Sequence, residues 1–202
     1  MKITKEYKGI TRKENGDYYI SGSIKTDEDI EIELDDLLEV EGSIVSEKSI
    51  ISNTVLIVRG NIKAGEGINA GLCIEAGNGI EAGKGIKAVL DIKAGCGIEA
   101  GEGINAGLCI EAGEDIKAGW GIEAGWGVYA QTYIDCGLRI FAGTSIYDSE
   151  ATAQKTISCA ELRNGQIAYG ELVISKERDL EKERNNDKPE HPDARRDTQG
   201  LQ

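Results

Sequence analysis

From Ile62 to Gly127 the chain reads IKAGEG, INAGLC, IEAGNG, IEAGKG, IKAVLD, IKAGCG, IEAGEG, INAGLC, IEAGED, IKAGWG, IEAGWG, eleven hexads in one register. Looser copies VYAQTY, IDCGLR and IFAGTS follow, and the period ends near Ile146. Backward it persists through Leu56, Ile50, Ile44, Leu38 and Ile32, where the glycines thin out. Self-similarity this strict is the mark of a stacked repeat. Within a hexad, positions one and three are apolar and position two is polar, which is strand alternation and too short for a helix. Glycine at position four, and often at six, permits a tight corner that a side chain would obstruct.

The variable fifth position sets the number of sides. At a spacing of 18 it reads Leu72, Leu90, Leu108, Trp126, whereas a spacing of 12 mixes Leu with Lys, Cys and Trp. Second-position charges agree, since Glu75, Lys93 and Glu111 then stack as a ladder of alternating sign, favourable at the roughly 4.8 Å between coils. The expected fold is therefore all-β: a three-sided parallel β-helix of about 18 residues per coil, its hand left open by the repeat. Six to seven turns between Ile32 and Ile146 would make a rod roughly 30 Å long. Ile stacks on Ile and Ala on Ala, and only stacking makes the interior continuous.

The ends divide the chain. Residues 1–31 read as an N-terminal cap, with YYISGSI (18–24) as a candidate first rung, and residues 32–150 as the solenoid. In 151–175, TISCAEL and QIAYGELVI flank Arg163-Asn164-Gly165, and Asn-Gly between alternating runs signals a hairpin cap. Residues 176–202 are charged, carry both prolines (189 and 192) and read as a disordered tail.

Composition narrows function. The net charge is −13, which repels nucleic acid and anionic membrane and favours a basic partner. The five cysteines form no CxxC and His191 is the only histidine, so neither a metal set nor a cofactor is expected. With no signal-like or membrane-length apolar run, a cytoplasmic location with reduced thiols is expected. Each Gly-x-Gly opens another strand rather than a helix, so the phosphate-loop reading fails.

Three features stand as candidate partner-binding surfaces. Residues 27–41, DEDIEIELDDLLEVE, hold nine carboxylates and no base: Asp27, Glu28, Asp29, Glu31, Glu33, Asp35, Asp36, Glu39 and Glu41. They form either an anionic surface resembling nucleic acid or a solvated strand face. Leu72, Leu90, Leu108 and Trp126 form either an outward apolar ribbon or a strip that a terminus covers or that turns inward at this corner. Aromatics gather late, at Trp120, Trp126, Tyr129, Tyr133, Phe141 and Tyr147, as an interface anchor or as packing under a cap.

Two resemblances sharpen these expectations. LEVEGSIVSEKSIISNTVLIVRGNIKAGEGI (38–68) resembles a bactofilin core, implying a three-sided β-helix that polymerises end to end. The long IEAGWG-type array resembles phage and prophage proteins of Gram-positive bacteria. That likeness implies a non-enzymatic inhibitor of a host defence complex, of nuclease or CRISPR type. Hexapeptide-repeat acyltransferases and gamma-class carbonic anhydrases use histidines between coils, which this chain lacks outside its tail. The leading expectation is thus a non-catalytic acidic inhibitor of a basic, nucleic-acid-handling host complex; the alternative is a self-assembling structural protein, and a homo-oligomer is compatible with either.

Overall fold

A computed structural model describes residues 1–145 and 155–175, all-β and without a helix among the described residues. Short strands β1 (Lys2–Ile3), β2 (Ile10–Arg12), β3 (Tyr18–Ile20), β4 (Ile24–Thr26) and β5 (Ile30–Ile32) come first. A three-residue strand then starts every six residues, from β6 (Leu38–Val40) through β21 (Val128–Ala130). The chain closes with β22 (Tyr133–Ala142), β23 (Thr156–Cys159), β24 (Glu161–Tyr169) and β25 (Glu171–Ile174).

The strands stack in parallel as a solenoid of about eight turns, with about 18 residues per turn. Side A runs from Ile30 through Ile50, Ile68 and onward to Ile140. Side B runs from Ile24 through Ile44 and Ile62 to Ile134. Side C runs from Tyr18 through Leu38 and Leu56 to Val128. The Glu75, Lys93, Glu111 ladder lies on side C as the 18-residue spacing requires.

Positions one and three point inward all along the rod, and the Ile and Ala columns are buried. Each buried Ile is worth about 1.5–3 kcal/mol of removed apolar surface. Glycine at position four is demanded by the stacking: a Cβ on Gly83, Gly101 or Gly119 would lie 2.1, 2.2 or 2.1 Å from a carbonyl oxygen one coil earlier. At position six the demand is weaker, since the nearest atom to such a Cβ on Gly85, Gly103 or Gly121 is 3.3 Å away. Val89 occupies a fourth position, and its amide bond to the Ala70 oxygen stretches to 3.3 Å against 3.0 Å for Gly83 to Ala64.

Both expected boundaries move outward. Parallel pairing from coil to coil already begins at Tyr18, not Ile32, so β3, β4 and β5 form a complete first coil, with β1 added in parallel to β5. That coil takes 20 residues, Tyr18 pairing with Leu38 and Ile24 with Ile44, because the connection between β5 and β6 is two residues longer than elsewhere. The C-terminal hairpin is corrected. β23 pairs with β25 in parallel, and β24 pairs in parallel with β22, so residues 156–174 wind one further coil. Asn164-Gly165 lies inside β24, where Gly165 at φ +114° supplies a bend over the β22 corner. Winding on satisfies the exposed backbone of β22 and β23, which a detached hairpin would leave unpaired. Among the described residues the hairpin is N-terminal: β2 and β3 are antiparallel across Asn15-Gly16, with Gly16 at φ +99°. Tyr147, the last residues of the expected 32–150 segment and the charged tail 176–202 lie outside the described residues.

Candidate interaction surface

The acidic run wraps most of the first coil and does not form one patch. Asp27, Glu28 and Asp29 occupy the connection between β4 and β5, Glu31 lies on side A and Glu39 on side C. Glu33, Asp35 and Asp36 lie in the long connection that follows β5, and Glu41 follows β6. The N-terminal segment folds back over this coil and brings cations to it. Lys2 pairs with Glu33 at 2.8 Å, Lys5 with Asp35 at 2.7 Å, Arg12 with Asp36 at 3.4 Å, and the Met1 amine with Glu28 at 3.4 Å. Glu39 is held by both Lys13 and Arg59 and is only 15% exposed. The Tyr18 and Tyr19 hydroxyls donate to Asp35 and Glu41, each at 2.6 Å. Asp29 accepts the Ser49 amide at 3.0 Å.

These partners shift the carboxylates. The Lys5 ammonium, then the Tyr18 hydroxyl, hold Asp35 well below the usual carboxylate range. Lys13, then Arg59, lower Glu39. The same contacts push the Tyr18 and Tyr19 phenols up.

The apolar column is a corner ladder as expected, between sides A and C. Leu90 donates its amide to the Leu72 oxygen, Leu108 to Leu90 and Trp126 to Leu108, at 3.0–3.1 Å. Leu72 is exposed, whereas Leu90, Leu108 and Trp126 are half-buried. The Trp126 indole nitrogen is buried without a hydrogen-bond partner. Tyr129 lies on side C, with its ring folded over Gly127, where a Cβ would meet the Tyr129 hydroxyl at 2.5 Å.

The late aromatics therefore do not form one cluster. Trp120 belongs to the corner between sides B and A, donating its amide to Glu102 and accepting from Leu138. Trp120 is 59% exposed and Leu138 62%. With Ile51 and Phe141 on side A, these two line an open trough along that side, whose other lining includes Asn69, Lys87, Asn105 and Glu123. Leu138 and Ile51 were not singled out from sequence, although the 18-residue period sets Leu138 directly after Trp120 in its column. Tyr133 has a different setting, with the Arg163 guanidinium 3.4 Å and the Lys117 ammonium 5.5 Å from its ring centre.

Reactive groups are few. Burial pushes the Cys109 thiol up to about 11 and raises Cys73, Cys136 and Cys159. All five cysteines are free. Among the described residues no group of three or more His, Cys, Asp or Glu side chains is placed to hold a metal ion, and no helix is long and apolar enough to cross a membrane. Comparison with protein-family models, curated proteins and solved structures returns no match to this chain.

Proposed function

We propose that the protein is a non-catalytic binding rod that holds a macromolecular partner along the trough of side A. The observation that carries this reading is the exposure of Trp120 and Leu138, two large apolar side chains stacked at one corner beside Phe141. Aromatic anchors of this type dominate binding energy because they bury large area at low entropic cost. The ladder beneath them is rigid, so little ordering is required on association. Burial raises the thiols and ion pairing occupies several of the carboxylates, which supports a role without chemistry.

The partner that fits a net charge of −13 is basic, and charge would steer the approach while the aromatics hold the complex. In its most specific form the reading is a phage-encoded inhibitor of a host nucleic-acid-acting complex, met in the bacterial cytosol. The resemblance of the hexad array to phage proteins supports that form. Five of the nine carboxylates in 27–41 already face cations within the chain, so steric blocking through side A is favoured over mimicry of nucleic acid.

The test is inhibition of purified nuclease and CRISPR complexes from bacteria, measured as loss of cleavage or DNA binding. Inhibition at stoichiometric protein is expected for a cognate complex, with Trp120→Ala weakening it by roughly 30-fold, about 2 kcal/mol. The paired change Asp35→Lys and Asp36→Lys should weaken it less, and only at low salt. Full potency of the Trp120 variant would overturn the assignment to side A.

A further inference from the structure

We propose that the C-terminal end of the rod takes the same end of a second copy of this chain, giving a closed two-fold dimer. This goes beyond the reading of side A and does not depend on it.

The last coil is β23, β24 and β25, and no described strand stacks on β24 or β25. Its inward residues are consequently open on one face. Leu172, paired with buried Ile157, is 39% exposed, and Ile174, paired with buried Cys159, is 55% exposed. Leu162 and Ile167 of β24 are only partly buried against the core. Every earlier coil closes these same columns to a few per cent.

The backbone is equally open. Glu171 and Ser175 donate their amides back to Lys155 and Cys159. Alternation along a parallel strand then turns the amides of Leu172 and Ile174 off the end of the rod. Exposed edges are usually blunted by lysine, proline or inward charge, and Glu171–Ile174 reads Glu-Leu-Val-Ile, with none of these on its inward positions.

The occupant follows from what else the chain offers. Residues 176–202 contain Leu180 and Leu201 as their only large aliphatic side chains, in a sequence dominated by charge. That composition offers little apolar surface to match the open end. The opposite end of the rod cannot serve either. There β1 lies on side A and the antiparallel β2–β3 hairpin on side C, with Met1, Tyr7 and Ile10 packed against the core; β4 on side B carries no further strand, yet its Ile24 is only 4% exposed. Head-to-tail stacking would set an open apolar end against one whose core is already covered, and the better-matched surface is the open end of another copy. A two-fold axis across the rod sets the two terminal edges antiparallel, a pairing the free amides accept. The rim carries both signs, Glu161 with Arg163 and Lys155 with Glu171, so two copies do not repel.

The full chain should sediment as a concentration-dependent dimer with no larger species. Ile174→Lys, a change at the rim of a folded rod, should return it to monomer, with at least a tenfold rise in the dimer dissociation constant. Hydrogen exchange on the unmodified chain gives a second measure: the amides of Leu172 and Ile174 should exchange at least tenfold more slowly in the dimer than after dilution to monomer. A monomer at every concentration, an open-ended polymer, an Ile174→Lys variant still dimeric, or unprotected amides in the dimer would each overturn the proposal.

Discussion

The two ends of this rod meet the same physical problem with opposite solutions. A stacked ladder must stop somewhere, and its last strands then expose backbone and core. At the N-terminal end the chain reverses direction. The β2–β3 hairpin runs antiparallel, β1 lies on the edge of side A, and Tyr18 in the first coil is only 2% exposed. At the C-terminal end the chain keeps its parallel sense through Ile174, and Leu172 and Ile174 remain open. The difference teaches that the hexad specifies a body of arbitrary length, whereas termination needs residues outside the repeat. The N-terminal residues supply that departure as cations, tyrosines and a turn.

The largest effect separates the body from the open end. Ile98 is 1% exposed and stacked on both sides by Ile80 and Ile116. Ile98→Asp places a charge in a dry column and should cost at least about 4 kcal/mol, dividing the rod because each coil depends on its neighbours. Leu172→Asp, compared at concentrations low enough to keep the rod monomeric, places the same charge where water already reaches, and about 1–2 kcal/mol is expected. Urea unfolding of the two variants checks the ranking. The reverse order would mean that the inward assignment, or the openness of the last coil, is wrong.

A smaller effect probes how the coils approach each other in the body. Gly101→Ala drives a Cβ to 2.2 Å from the Gly83 oxygen, whereas Gly103→Ala meets its nearest atom at 3.3 Å. The first should cost about 2–3 kcal/mol and the second under about 1 kcal/mol, both read from thermal melts. Val89 shows the body accepting a fourth-position side chain by lengthening one ladder bond, so the loss at Gly101 should be finite and the fold retained. Equal losses at the two positions would show that glycine serves turn conformation rather than close stacking.

The body was legible in the sequence because its signal is redundant. Ile recurs every six residues, and Leu72, Leu90, Leu108 and Trp126 recur every 18, so a single exception such as Val89 changes nothing. The ends were less legible because their signals are local. Asn15-Gly16 and Asn164-Gly165 are the same dipeptide, yet the first turns a hairpin and the second bends a continuing strand. What separates them is whether a finished coil lies beside the segment, which a dipeptide does not encode. The ion pairing of the acidic run was illegible for a related reason. Its counter-charges Lys5, Arg12 and Lys13 lie 24–30 residues away along the chain and meet it only through the first coil's fold. Leu138, by contrast, was accessible to the 18-residue rule applied once more after Trp120.

Acid should act on the closed end before the body. Asp35 and Glu39 have pKa values lowered in the folded state, so both bind protons less readily there than in the unfolded chain. Their contribution is complete above the ordinary carboxylate values of 3.8 and 4.5 and is lost as pH falls below them toward the depressed native values. Hydrogen exchange of Tyr18–Ile20 should therefore accelerate between neutral pH and about pH 3 after correction for intrinsic rates, while the amides of Ile98–Ala100 stay protected. Lys5→Ala should remove part of this pH dependence. Equal acid sensitivity at both places would mean that the cap is not held by its charges.

The smallest effect belongs to lateral pairs in the body. Lys93 and Glu111 lie 3.2 Å apart on side C, with side chains 42% and 39% exposed. Both sit on strands whose register is already set by backbone ladders and by the Ile74, Ile92, Ile110 column. Water screens the attraction, and holding two long side chains in one geometry costs entropy, so exposed pairs contribute about 0.2–1 kcal/mol at most. Lys93→Ala should lower the melting temperature by no more than about 2–3 °C, and 1 M salt should not change the unmodified body's stability measurably. The N-terminal pairs differ because they tie a segment that no parallel ladder holds across most of its length. A loss above about 1 kcal/mol at Lys93 would mean that charge, as well as stacking, holds the coils in register. The dependence on ion pairs would then extend along the whole rod, and the contrast between body and closed end would fail.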